Sequence, residues 1–177
     1  GALDYPTEGS IHFKGTDIAT LSDRKRDALR RNEIGFVFQS VALISLMSAV
    51  ENVDFRLRIS SFPPERRRKR SEECLSQVNL RPRMNHRPHE LSGGEQQRVA
   101  IARAISNKPS VIFADEPTGE LDTHSGLQVV KVFKDLIVSE GITVIMTSHD
   151  PNMAELADHV IEMEDGRIIT VDGRKRS

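Results

Sequence analysis

Between Ser110 and Ser148 the chain alternates short apolar runs with a long amphipathic stretch: SVIFAD, then THSGLQVVKVFKDLIVSEG, then ITVIMTS. A run of four or five consecutive apolar residues suits a strand buried on both faces, and parallel strands need a helical crossover between them. This rhythm predicts an α/β fold with a parallel core sheet covered by helices. PNMAELAD (151–158) adds a short helix. HVIEMEDGRIITVDG (159–173) reads as a hairpin turning at Asp165–Gly166. Ligand sites in such sheets lie beyond the carboxyl ends of the strands, so the residues after each apolar run carry the functional question.

The first half supplies one more buried strand, IGFVF (34–38), which ends at Gln39. Before it, GSIHFKG (9–15) reads as a short strand of a small antiparallel part, and Ser22 or Asp23 caps a basic helix ending near Asn32. Residues 40–90 read as a helical subdomain. In it Val50, Val53, Phe55 and Leu57 form one apolar side, and Leu75, Val78 and Leu80 another, after a start at Pro63–Pro64. The run Arg66–Arg70 is flanked by Glu65, Glu72 and Glu73, which favours a solvated helix face over a nucleic-acid contact.

With 25 basic and 26 acidic side chains, the chain is not built to coat nucleic acid. Its single cysteine, Cys74, excludes an internal disulfide and favours a reducing compartment. The longest apolar stretch, Val41–Val50, is broken by Ser45 and Ser48 and is too short to span a bilayer. No signal-peptide pattern is readable, and the abrupt start at GALDYPTEG reads as a piece of something longer.

Four strand ends carry polar residues: Gln39, the pair Asp115–Glu116, the loop Gly119–Asp122, and Ser148–His149. An apolar strand ending in two acids suits a Mg²⁺ ion beside a nucleotide, with Asp115 on the ion and Glu116 on the attacking water. Two solvated acids at a loop would look the same. Gln39 can serve the ion or the water through its amide, and His149 can donate to a γ-phosphate. The turn Ser92-Gly93-Gly94-Glu95 opens a well-patterned helix with Ala100, Ile101, Ala104 and Ile105 on one face. Glycines there let a backbone approach an anion at a helix start, whereas a plain serine cap explains Ser92 but not two helix-weakening glycines.

In this order, FVFQ, LSGGEQQR, VIFADE, GELD and SHD resemble the Q-loop, signature, Walker B, D-loop and switch histidine of the ATP-binding subunit of ABC transporters. The likeness covers essentially the whole chain, 1–177. GALDYPTEGSIHFKGTDI, IGFVFQS, ADEPTGELDT and TSHDP are similar to the lipoprotein-release and macrolide-export branch, with Glu120 where that branch often has Asn. The resemblance implies a head-to-tail dimer of two ABC ATP-binding domains. Ser92, Gly93, Gly94 and Glu95 of one then meet the γ-phosphate of ATP held by the other. It further implies Mg²⁺ on Gln39 and Asp115, Glu116 as general base, His149 at the γ-phosphate, and Asp122 linking the two sites. It implies a transmembrane permease partner as well, and a peripheral place on the cytoplasmic face of the plasma (inner) membrane.

One element of that family is absent. No G-x-x-x-x-G-K-[ST] loop occurs in the 177 residues, and the strand and P-loop that would precede GALDYPTEG are missing. Tyr5 lies on the wrong side of that gap to stack on adenine. The 177 residues alone are therefore expected to bind ATP weakly, to turn it over little or not at all, and to be marginally stable with exposed strand edges. Two rivals remain. A DNA-maintenance ATPase with the same motifs would carry long coiled coils between Gln39 and Leu91, which are absent here. A degenerate subunit that only donates its signature turn would need neither Glu116 nor His149.

Overall fold

The structure is a computed structural model and describes residues 1–154 and 157–173. The chain forms two compact units, Gly1–Thr147 and Ser148–Ser177. In the first, β1 (His12–Phe13) and β2 (Thr16–Asp17) form a tight antiparallel hairpin. Its turn, Lys14–Gly15, has φ values of 48° and 78°. GSIHFKG thus holds one short antiparallel strand, β1, and the left-handed pair at Lys14–Gly15 turns the chain into its partner β2.

Next come α1 (Asp23–Asn32), β3 (Ile34–Val37), α2 (Ala49–Ile59), α3 (Pro64–Gln77), α4 (Gly93–Ile105), β4 (Val111–Asp115), α5 (Thr123–Glu140) and β5 (Thr143–Thr147). The three strands β3, β4 and β5 lie side by side in that order, all parallel. Local chemistry sets the helix ends. Ser48 and Glu51 form a capping box on α2, and Ser92 and Glu95 one on α4. Gly141 closes α5 in the left-handed conformation at φ 65°, its N–H donating to the Ile137 carbonyl.

The core is one cluster shared by α2, α3, α4, α5 and the face of the sheet that carries Val37, Ile112 and Ala114. Val50 and Val53 of α2 are buried in it and Leu57 is fully buried as well, but Phe55 is not. Positions 50, 53 and 57 follow the helical spacing, and 55 falls off that face. The opposite face of the sheet carries Phe36, Phe113 and Ile145 in register across the three strands. Phe36 and Phe113 stack at 5.9 Å, and Ile145 is 51% exposed. The burial expected on both faces for ITVIMTS is therefore only partial, on the one face where Val144 and Met146 pack against the core. Among the described residues, no further strand pairs with β5.

Arginines finish several backbone ends. Arg70, the last of the basic run, is buried rather than solvated, and donates to the carbonyls of Ile105 and Ser106 at the end of α4. Arg56 donates to the carbonyls of Arg30 and Ile34, joining α2 to the start of β3. Tyr5 lies under the Arg26 guanidinium, 3.6 Å from ring centre to the Arg26 carbon.

Cys74 is fully buried in α3, and burial pushes its thiol up to about 12. The thiolate is the reactive form, so Cys74 is expected to stay unmodified by a thiol reagent at pH 8. It should react stoichiometrically once denaturant unfolds the chain. A fast reaction of the native protein would show that α3 opens locally.

In the second unit, α6 (Pro151–Ala154) is followed by the hairpin of β6 (His159–Glu164) and β7 (Arg167–Gly173). Asp165 and Gly166 turn it with φ values of 47° and 74°, as a two-residue hairpin requires. A bulge lies at Glu162/Met163. Of the rest of the expected PNMAELAD helix, residues 155 and 156 lie outside the described residues, and 157 and 158 are not helical. Among the described residues no helix is long and apolar enough to cross a membrane.

Candidate functional site

Three strand ends and two helix starts meet in the first unit. Asp115 closes β4, and its Oδ1 accepts a 2.6 Å hydrogen bond from the Thr147 hydroxyl at the end of β5. The same Thr147 accepts the Glu116 N–H twice, at its carbonyl (3.2 Å) and at Oγ1 (3.2 Å). Glu116 has φ 43°, in the left-handed region that a glutamate seldom adopts. Its carbonyl accepts the Gly119 N–H at 3.1 Å, so the backbone on both sides of the carboxylate is tied down.

Gln39 lies two residues past the end of β3. Its side chain sits against the loop after β4, where a Cβ on Gly119 would be 3.3 Å from the Gln39 Nε2. The structure thus brings Gln39 to the loop that starts at Asp115–Glu116.

The signature turn is built as an N-terminus with spare donors. Ser92 Oγ accepts the Glu95 N–H at 3.3 Å, and a Glu95 carboxylate oxygen accepts the Ser92 N–H at 2.9 Å. That box satisfies the two outer donors of the first turn. The N–H groups of Gly93 and Gly94 have no partner among the described residues. The bond from Ser92, aided by Arg83 at 3.4 Å, holds the Glu95 carboxyl below the usual carboxylate range.

Asp122 caps α5 by accepting the Ser125 N–H at 3.0 Å, and the Ser125 hydrogen bonds hold its carboxyl below the usual range. The starts of α4 and α5 are packed side by side. A Cβ on Gly94 would meet Ser125 Cβ at 2.9 Å, and one on Gly93 would meet Leu121 Cδ2 at 3.4 Å. Gly94 therefore has a packing reason to lack a side chain, which spacing alone did not reveal. Gly93, which is exposed, has only an ordinary contact there.

His149 follows β5 in sequence and belongs to the second unit, where the Asp150 N–H donates to Ser148 Oγ at 3.1 Å. Sequence reasoning passed over Thr147, Gln97 and Ser125. Gln97 was legible: it stands four residues before Ile101 on the apolar stripe of α4, a polar residue where burial was expected, and it is 1% exposed. Thr147 and Ser125 gave no such signal.

Among the described residues there is no group of three or more His, Cys, Asp or Glu side chains able to hold a metal. The donor set at the strand ends is one carboxylate and one amide, Asp115 and Gln39. That set suits Mg²⁺, which takes one or two protein oxygens and completes its shell with water and substrate phosphate.

The ABC transporter family matches residues 2–119. An uncharacterised ABC transporter ATP-binding protein of Methanocaldococcus jannaschii is 44% identical over 169 residues, covering 96% of this chain and 75% of that protein. The macrolide export ATP-binding/permease protein MacB of Bartonella henselae is 47% identical over 169 residues, and there the chain spans 96% of itself but only 26% of MacB. The dimeric post-hydrolysis state of the ATP-binding cassette MJ0796 of M. jannaschii, bound to ADP and phosphate, superposes with a TM-score of 0.85 at 39% identity. That match covers 99% of this chain and 78% of the cassette. A parallel sheet with acids at its strand ends, a double-glycine helix start and these matches over nearly the full length agree: the chain belongs to the ABC transporter family, as an ATP-binding domain.

Proposed function

We propose that the chain works as half of a head-to-tail pair of ATP-binding domains, driving transport through a permease at the cytoplasmic face of the plasma (inner) membrane. The observation that carries this reading is the turn at the start of α4. Its capping box consumes the Ser92 and Glu95 N–H groups and leaves two glycine N–H groups at the positive end of a helix, beside the Ser92 hydroxyl. Donors of that kind suit the terminal phosphate of an ATP presented by an opposing domain.

Glu116 takes the proton of the attacking water, on a backbone that Thr147 and Gly119 hold. Gln39 orients that water or joins Asp115 in holding Mg²⁺, and His149 donates to the γ-phosphate. When bound, Mg²⁺ supplies charge neutralisation for the phosphates. Asp122, at the start of α5, links the signature turn to the opposing site through the close packing of Gly94 on Ser125. The fusion of related domains to permeases in MacB, and in the pyoverdine exporter PvdT of Pseudomonas aeruginosa, supports a membrane partner.

The 177 residues contain no G-x-x-x-x-G-K-[ST] loop, the backbone cradle and lysine that grip the β- and γ-phosphates, so within them the signature turn is the half of the phosphate site that can be tested. Purified alone, they are expected to turn over ATP barely above background. Added to a cassette that carries such a loop but is disabled in its own signature turn, they are expected to raise turnover, and the Gly93→Asp variant is not. Robust turnover by the isolated 177 residues, abolished by Glu116→Gln, would overturn this division of labour.

A further inference from the structure

Helix α4 reaches the segment around Gln39 on both sides. Ahead of it, Gln97 Nε2 donates to the Phe38 carbonyl at 3.3 Å, from a side chain that is 1% exposed. Behind it, Arg103 donates from Nη1 to the Ala42 carbonyl at 2.7 Å and from Nη2 to the Val41 carbonyl at 3.2 Å. Gln39 and Ser40, which lie between these ties, are themselves exposed. Ala42 has φ 45°, a left-handed conformation that alanine rarely keeps unless its neighbours hold it. Five residues of loop are thus clamped by two side chains of a single helix, the helix whose first turn is Ser92–Glu95.

We infer that Gln97 and Arg103 are positioning residues that make the Gln39 loop and the signature turn move as one body. The loop follows β3 but takes its place from α4. Any displacement of α4 when its first turn closes on an anion is carried over two buried or half-buried side chains to Gln39, with no intervening flexible link. Gln39 touches the ion or water in the functional reading above, and this inference rests on that reading for its purpose. The mechanical link itself requires no nucleotide. Arg103 serves it better than lysine would, since a planar guanidinium can engage two successive carbonyls at once and an ammonium engages them as a point charge.

The chain contains no tryptophan, so a tryptophan introduced as Ser40→Trp is a lone reporter on the loop. Its fluorescence anisotropy is read in the 177-residue chain without nucleotide. Arg103→Ala and Gln97→Ala are each expected to lower the anisotropy, and the two together to lower it further, with far-UV circular dichroism unchanged. Arg103→Lys is expected to retain part of it. The control is Arg70→Met, which removes the two carbonyl bonds at the far end of the same helix. It is expected to lower Tm while leaving the Ser40→Trp anisotropy at its parent value. Unchanged anisotropy in the folded double variant would overturn the inference, as would an equal loss in Arg70→Met. Because no nucleotide is present, either result leaves the phosphate reading of Ser92–Gly94 to stand or fall by itself.

Discussion

In the nucleotide-loaded dimer, Glu116→Gln is expected to lower ATP turnover by roughly 10²–10⁴-fold, the usual worth of a positioned general base. Mg·ATP binding should stay within about twofold, since the carboxylate is assigned to the water rather than to the phosphates. The geometry makes this substitution unusually clean. The backbone at 116 is fixed by Thr147 on one side and Gly119 on the other, at φ 43°. Glutamine matches glutamate in shape and bears the same left-handed conformation at similar cost, so the change removes a base and leaves these backbone ties in place. Thr147→Val tests the support. It deletes the 2.6 Å bond to Asp115 and one of the two acceptors of the Glu116 N–H. Turnover should fall less than in Glu116→Gln, with a higher Mg²⁺ requirement.

Gly94→Ala should damage the fold itself. The new Cβ would lie 2.9 Å from Ser125 Cβ, and Ser125 Cα is only 3.7 Å away, so the starts of α4 and α5 must separate. Overpacking of this kind costs ~1–3 kcal/mol. For a chain of this length that corresponds to a fall in Tm of roughly 3–10 °C. The gain in helix propensity, about 1 kcal/mol in a helix interior, is smaller at this first-turn position and offsets only part of it. Removing the opposing side chain as well, in Gly94→Ala with Ser125→Gly, should recover most of the lost stability. Gly93→Ala is the contrast. Its Cβ meets Leu121 at an ordinary 3.4 Å, so stability should change by no more than about 0.5 kcal/mol. A functional loss at 93 with an intact fold then reports on the ligand rather than on packing.

The difference between these two glycines shows what the sequence could and could not reveal. LSGGE predicts an anion-binding helix start, and nothing in its spacing separates a glycine kept for packing from one left open. That distinction requires the neighbouring helix, which is thirty residues on in the chain. The parallel sheet was legible, because apolar runs between amphipathic stretches admit few other folds, whereas the order of its strands was not. The hairpin at Asp165–Gly166 was legible for the same local reason. The short antiparallel strand in GSIHFKG was legible too, although its alternation overstated the length of β1, which is only His12–Phe13. Phe55 misled because three correct helical positions drew a fourth with them.

At the candidate site, the residues named from motif positions are those at strand ends and helix starts. Those missed act through other residues. Thr147 orients Asp115 and Glu116, and Gln97 and Arg103 hold the ends of the Gln39 segment. Such positioning residues leave no chemical signature of their own: a threonine ending a strand, or an arginine on a helix, is usually structural. Gln97 alone broke the apolar pattern around it.

The most direct test is where the signature turn lies when two domains close on Mg·ATP. In a structure of that assembly, Ser92 Oγ and the N–H groups of Gly93 and Gly94 should lie within about 3.5 Å of the terminal phosphate held by the opposing domain. Finding that phosphate surrounded by other groups, with Ser92 facing solvent, would contradict the account at its base.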